Sequence, residues 1–448
     1  MTILPFYYCA VNGATTANGL LAVTRRFRYA CHSAGTFKAA AMETSTATKP
    51  KRLEPKAWVV VLVTGMYGGA DALCGLFVSV YLWVNSYDFG LVCAHYLALY
   101  ITIPFFFVLS GWYAQARDRL HVYRLGLAMH AVYYAALLLL REHAPDYAPH
   151  LGAFLGVTWG IYHAGANTFN YDMTVKGKRE YFFGILHSTV GIFRLMAPPI
   201  GGLIIFLAPA NQLGYQIVFG VVVCMYIACF TLSFQIPSDN ERRPYHIRRA
   251  LFPPREHRDW RLVMLASSTM AGAYHIFGFL LGLLMFMETG NELTVGGFGS
   301  FQAIAGITSA YIAGRVVTQR TWKRSIQFAV IILVSAGITV VTQLSFTTLI
   351  MFGFLRSIAG PLFAIPHASL RFDTISRTVD HPSERIEYLC AWEVPLAIGR
   401  IIMMLIIMTL YYTFPDDNLG IRLSLFLLCS IRILTYLIIR RTSPLQQQ

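Results

Sequence analysis

Two stretches decide how this chain folds: REYFFGILHSTVGIFR, residues 179–194, and RIEYLCAWEVPLAIGR, residues 385–400. Each ends on an arginine inside a run otherwise apolar enough to cross a bilayer. The step from His187 to Glu393 equals the step from Arg194 to Arg400, 206 residues. A permanent cation at mid-bilayer costs roughly 2.5–3.5 kcal/mol on insertion scales, so it must face protein or water.

Other matches keep nearly the same offset. Gly65, Tyr67 and Gly75 recur as Gly272, Tyr274 and Gly282. Gly111 recurs as Gly314, each just ahead of a basic loop, and the YD of 171–172 recurs as the FD of 372–373. Each match is weak alone. In order and at near-constant offset, they indicate two parallel halves related by an axis along the membrane normal.

Composition supports a bilayer environment. Of the 448 residues, 56% are hydrophobic and only 13% charged, with a mean hydropathy of +0.53, which no ordinary soluble domain shows. A bilayer core needs roughly 20 apolar residues per helix. Twelve stretches meet the need: about 58–84, 91–113, 122–140, 151–173, 181–208, 213–235, 262–286, 296–317, 325–343, 346–368, 388–412 and 419–439. The fold class read from these runs is an all-α membrane protein with twelve transmembrane helices in two pseudo-symmetric six-helix halves, residues 57–235 and 262–440. Repeated long runs without period-two alternation exclude an outer-membrane barrel.

The 36 lysines and arginines set the orientation. With both termini in the cytoplasm, the inside loops receive Arg117, Arg119 and Arg124, then Lys176, Lys178 and Arg179, then Arg315, Arg320, Lys323 and Arg324, then Arg371, Arg377 and Arg385. The outside loops hold only Arg141 and Arg422. This asymmetry absorbs most of the net charge of +14 and reads as a topology signal, not a nucleic-acid surface. The longest inside loop, 236–261, joins the two halves, and its HIRRALF is either a short amphipathic helix on the anionic leaflet or a solvated linker. Residues 1–56, with no acidic residue before Glu43, read as a targeting tail or as the product of a start placed too early, Met42 being the alternative. Residues 441–448 form a short tail. The eight cysteines show no paired spacing, so neither a disulfide framework nor a metal site is indicated.

Twelve helices in two parallel halves, a long central loop and a glycine-plus-basic loop after the second and eighth spans resemble the major facilitator superfamily of secondary transporters, over about residues 57–440. The family's loop pattern places an acidic residue four after the glycine. Here Gln115 and Thr318 occupy those positions, and Asp118 with Arg119 offers a shifted version. Gly111 and Gly314 are read as the conformational loops, each ending a span where the chain turns tightly.

The resemblance implies that the first, fourth, seventh and tenth helices line a central cavity. Substrate-binding candidates are then His163, Asn167 and Asn170, which share one face of the fourth span, together with Tyr274 and His275 on the seventh and Arg356 on the tenth. His367 lies on the tenth nearer the cytoplasm. Asp71, amid the small residues of YGGADALCG, and Arg194, Glu393 and Arg400 are the proton-coupling or ion-pair candidates. Seven residues separate Glu393 from Arg400, about 10.5 Å along a helix, so each is expected to pair across helices. Asp71 is the expected neutraliser of Arg194. Arg356 and Arg400 face only Glu393 in the second half, and that surplus cation favours an anionic or zwitterionic solute.

Blander readings stand beside these. Arg194 and Arg400 equally fit buried pairs that fix helix register, Asn167 and Asn170 fit interhelical hydrogen bonds, and His130 reads as structural. Arg432 reads as a residue snorkelling to the inner surface. The function expected is secondary active transport of a small polar solute by alternating access, coupled to protons through Asp71, with Glu393 and His163 in reserve. The alternative is a non-transporting sensor or receptor of the same fold. No nucleophile, metal cluster or phosphate-binding loop points to an enzyme or an ATP-driven pump, so no cofactor is expected. The partners expected are the solute, the bilayer and protons, with no nucleic acid, for a monomer in the plasma membrane.

Overall fold

The computed structural model describes residues 55–172, 179–236, 245, 247–379, 384–414 and 418–446. The targeting-or-start question at residues 1–54 and the basic residues Lys176 and Lys178 lie outside the described residues. The long helices are α1 (Pro55–Ser86), α2 (Phe89–Ala116), α3 (Arg119–Leu140), α4 (Ala148–Asp172), α5 (Arg179–Leu207), α6 (Asn211–Ser233), α7 (Arg258–Thr289), α8 (Glu292–Val316), α9 (Trp322–Thr342), α10 (Phe346–Thr378) and α12 (Leu419–Ile439). Between the last two lies α11, in two pieces, Arg385–Ala391 and Glu393–Thr413. Pro395 explains the division, because it has no N–H to return to the Ala391 carbonyl.

Among the described residues, ten helical stretches are long and apolar enough to cross a membrane. One of them, Arg119–Ala166, runs 48 residues through α3, a 3-10 turn (Arg141–Tyr147) and most of α4. The helix α8 is not among the ten, since its glycines, serines and Gln302 lower its hydropathy. Helix ends fall within a few residues of the apolar runs, with one large exception. α10 continues to Thr378, ten residues past the run that ends at 368, which draws Arg371 into the helix bundle.

Small residues set the helix approaches. Gly152, Gly156 and Gly160, one turn apart on α4, lie against the backbone of α2 near His95, Leu99 and Ile103, and Thr102 donates to the Ala153 carbonyl at 3.0 Å. Gly65 and Gly69 of α1 admit Thr189 and Phe193 of α5. Around them is an aromatic core. Tyr67 stacks on Tyr162 at 3.7 Å, and Tyr226 stacks on Tyr134 and on His130. His130 Nδ1 lies 2.7 Å from the Gly126 carbonyl, so it carries the proton, and Nε2 accepts from the Tyr67 hydroxyl at 3.4 Å.

The glycines of the basic loops are not turn residues. Gly111 lies five residues inside the end of α2 and Gly314 two inside the end of α8. A Cβ on Gly111 would stand 3.0 Å from the Tyr245 hydroxyl and 3.1 Å from Cys390 Sγ. Its small size therefore serves the approach of α11, not a bend. Asp118 N-caps α3 through the Leu120 N–H at 2.8 Å, which accounts for an acidic residue displaced from the usual loop position. In the central loop, IRRAL forms a short helix, Ile247–Leu251, held by the Trp260 indole N–H on the Ala250 carbonyl at 2.9 Å.

Where α1 ends and α8 begins, the two helix sets are closely joined. Tyr215 donates to Glu292 at 3.2 Å, Ser300 donates to the Leu195 carbonyl at 2.9 Å, and Tyr96 stacks on Phe279 at 3.7 Å. Between the sets lies a cavity, which Tyr96 and Phe279 also line.

Candidate functional site

The cavity measures about 550 Å³ and takes walls from both helix sets. On one side Arg194 Nη2 donates to Asp71 Oδ2 at 3.1 Å, with the two side chains 23% and 18% exposed toward it. The position of a Cβ on Gly68 is 3.5 Å from Arg194 Nε, an ordinary van der Waals distance, so the guanidinium packs against α1 beside Asp71.

The facing wall is cationic. His367 and Arg371, four apart on one face of α10, line the cavity and are 2% and 1% exposed. The Arg371 guanidinium sits 3.8 Å over the Trp392 ring, and the Trp392 indole N–H is anchored on Ser267 Oγ at 2.7 Å. Arg432 of α12 lies 4.9 Å over Phe363, and Arg356 lies 5.1 Å over Phe277. An aromatic face stabilises a guanidinium while leaving its in-plane N–H groups to other partners. Nε and Nη2 of Arg371 and Nε2 of His367 have no hydrogen-bond partner within the described protein.

Behind this wall Arg400 Nη1 donates to Glu393 Oε1 at 2.6 Å, both side chains essentially unexposed. The expectation that these two are too far apart to meet is corrected. The helical rise counts backbone only, whereas residues seven apart lie on one face and a long side chain leans toward its helix N-terminus, here toward Glu393. Glu393 also lies within electrostatic reach of Arg371.

The charge inventory of the second half changes accordingly. Arg400 is neutralised within its own helix, and the arginines that line the cavity there are Arg356, Arg371 and Arg432. Among the described lining residues, four arginines meet one aspartate. Two of the four were read otherwise from sequence: Arg371 as a loop charge and Arg432 as a snorkelling residue. Burial against Trp392 and Phe363 corrects both readings. The available signal was the His367/Arg371 spacing of four, which the charged segment around it obscured.

Of the other nominated residues, Asp71, Arg194, His275 and Arg356 line the cavity. His163 is buried edge-on to Tyr67, Tyr162 and Trp159 and is not among the cavity residues. Gly111 and Gly314 stand away from it. The side chains of Asn167, Asn170 and Tyr274 lie outside the described residues.

A search of known proteins agrees with this architecture. The chain is 29% identical over 372 residues, 82% of its length and 85% of the relative's, to the uncharacterized protein YqgE of Bacillus subtilis (strain 168). Among solved structures, the nucleoside transporter NupG superposes with a TM-score of 0.66 at 11% identity, covering 87% of this chain and all of that one. A bacterial homologue of the iron transporter ferroportin, inward-facing, gives 0.64 at 14% identity over 88% of this chain and all of that one. At such identities the likeness shows the fold, a transporter fold. The model of the Major Facilitator Superfamily matches residues 60–370, from α1 into α10, and the chain is a member of that superfamily.

Proposed function

We propose that the chain is a secondary transporter that moves a small anionic or zwitterionic solute by alternating access, coupled to protons through Asp71. The observation that carries this reading is the cavity wall at Arg371, whose Nε and Nη2 have no hydrogen-bond partner within the described protein, on a lining whose described residues include four arginines and one aspartate. A buried donor without a partner is costly. A solute carboxylate or phosphate oxygen would complete it.

The same reading takes the bundle as twelve crossings in two halves, 57–235 and 262–440, tethered by 236–261. The 48 residues of Arg119–Ala166 would span about 72 Å as one straight helix, more than twice a bilayer core, and the Arg141–Tyr147 turn divides them, so α3 and α4 are taken as separate crossings. Helix α8 is taken as a crossing because it packs along α5 through Ser300 and Leu195. The basic loops support both termini in the cytoplasm, and the chain is taken as a monomer in the plasma membrane. In that orientation the Tyr215–Glu292 contact lies on the external side.

A panel of carboxylates, amino acids and amines tested by thermal shift on the purified protein examines the charge preference, because any ligand of the folded state raises its stability by mass action. Anionic or zwitterionic compounds should stabilise the protein, less so with Arg356→Ala. Stabilisation by amines alone, indifferent to that substitution, would refute the reading.

A further inference from the structure

We infer that the cavity takes an amphipathic organic oxyanion, its charged head on Arg371 and His367 and its broad apolar body along glycines of α1, α7, α8 and α10. This rests on the anion reading above and narrows it.

The head end is a built site. Arg371 and His367 are more than nine-tenths buried and line the cavity, and Nε and Nη2 of Arg371 and Nε2 of His367 are buried without hydrogen-bond partners in the described protein. Arg432 adds charge from α12, close enough to act electrostatically on His367. A guanidinium fork held flat on Trp392 and backed by an imidazole nitrogen suits a planar or tetrahedral oxyanion.

The body end is marked by what the glycines do not touch. Helix-packing glycines such as Gly65 and Gly126 would bring a Cβ within 3 Å of a neighbouring helix. At Gly75, Gly278, Gly306 and Gly360, all lining the cavity, a Cβ would meet nothing within 4 Å. Glycine inside a helix costs about 0.5–1 kcal/mol relative to alanine, and here no helix contact offsets it. What the four provide is width: side-chain-free points on an apolar wall that also includes Leu155, Trp159 and Met270. From Gly360 to His367 is seven residues, roughly 10 Å along α10, a length suited to a fused-ring or short-chain body joined to the head. A small hydrated anion would leave that apolar wall unfilled.

The test uses the full-length purified protein and isothermal titration with four probes: 2-naphthoate, acetate, sulfate and 2-naphthylmethylammonium. We expect 2-naphthoate to bind, acetate and sulfate to bind far more weakly, and Gly306→Leu or Gly360→Leu to weaken 2-naphthoate about tenfold or more. Arg371→Gln should remove it. Should the leucine variants fail to fold, Gly306→Cys gives the readout: 2-naphthoate should slow its alkylation, followed by the mass of the peptide carrying residue 306, and sulfate should not. Preference for acetate or sulfate, undiminished 2-naphthoate binding in both leucine variants, or absence of shielding at residue 306 would overturn the inference while leaving the anion reading intact. Preference for 2-naphthylmethylammonium would overturn both.

Discussion

Arg400 and Glu393 pair at 2.6 Å within one helix, fully buried and separated by two turns. A buried pair is weak evidence for stability, yet removing one partner leaves the other charge uncompensated. Glu393→Ala or Arg400→Ala should therefore destabilise the protein by about 3–5 kcal/mol, while Glu393→Leu with Arg400→Met should recover most of the loss. A double-mutant cycle on thermal unfolding checks this. Additive losses would mean that the pair does not act as a unit.

Gly111 stands where α2 meets α11. An alanine Cβ would lie 3.0 Å from the Tyr245 hydroxyl and 3.1 Å from Cys390 Sγ, tight contacts that two side-chain tips can relieve. Leucine would not fit. Gly111→Ala should keep the folded yield, and Gly111→Leu should lose it or separate α11 from α2, costing about 1–3 kcal/mol as overpacking does. Equal thermal stability of both variants would show that the seam is looser than the structure indicates.

Tyr215 and Glu292 join the two helix sets at one end of the bundle. One buried hydrogen bond is worth about 1 kcal/mol net, so Tyr215→Phe should shift the balance toward opening at that end by roughly fivefold. The labelling rate of a cysteine at Ser300, on the same seam, reports the shift. An unchanged rate would mean that the contact does not gate access.

Asp71 accepts from Arg194 and faces the cavity. A carboxylate that exchanges its arginine for solute can change protonation during the cycle. Asp71→Asn fixes the neutral form at nearly constant volume, so gradient-driven accumulation should vanish while exchange persists. Persistent accumulation with the original pH profile would assign Asp71 to structure and coupling to another group.

Much of the architecture was legible because membrane helices are written in runs of hydropathy, and α12 matches its run end for end, 419–439. The Asp71–Arg194 contact could be anticipated from mid-span charges with few available partners. The cationic wall was less legible. A hydropathy window stops α10 at its first charges, whereas Arg371 is buried by Trp392, which comes from the break between the two pieces of α11. The Glu393–Arg400 pair was hidden for a different reason: a rise per residue measures the backbone, and the reach and tilt of a long side chain decide whether two charges meet.

The most direct measurement of the central claim is counterflow in proteoliposomes, comparing organic anions, zwitterions and cations of similar size. Saturable exchange of anions or zwitterions is expected, abolished by Arg371→Gln and reduced by Arg356→Ala, with no exchange of cations. Equal exchange of cations and anions, unaffected by either substitution, would contradict it.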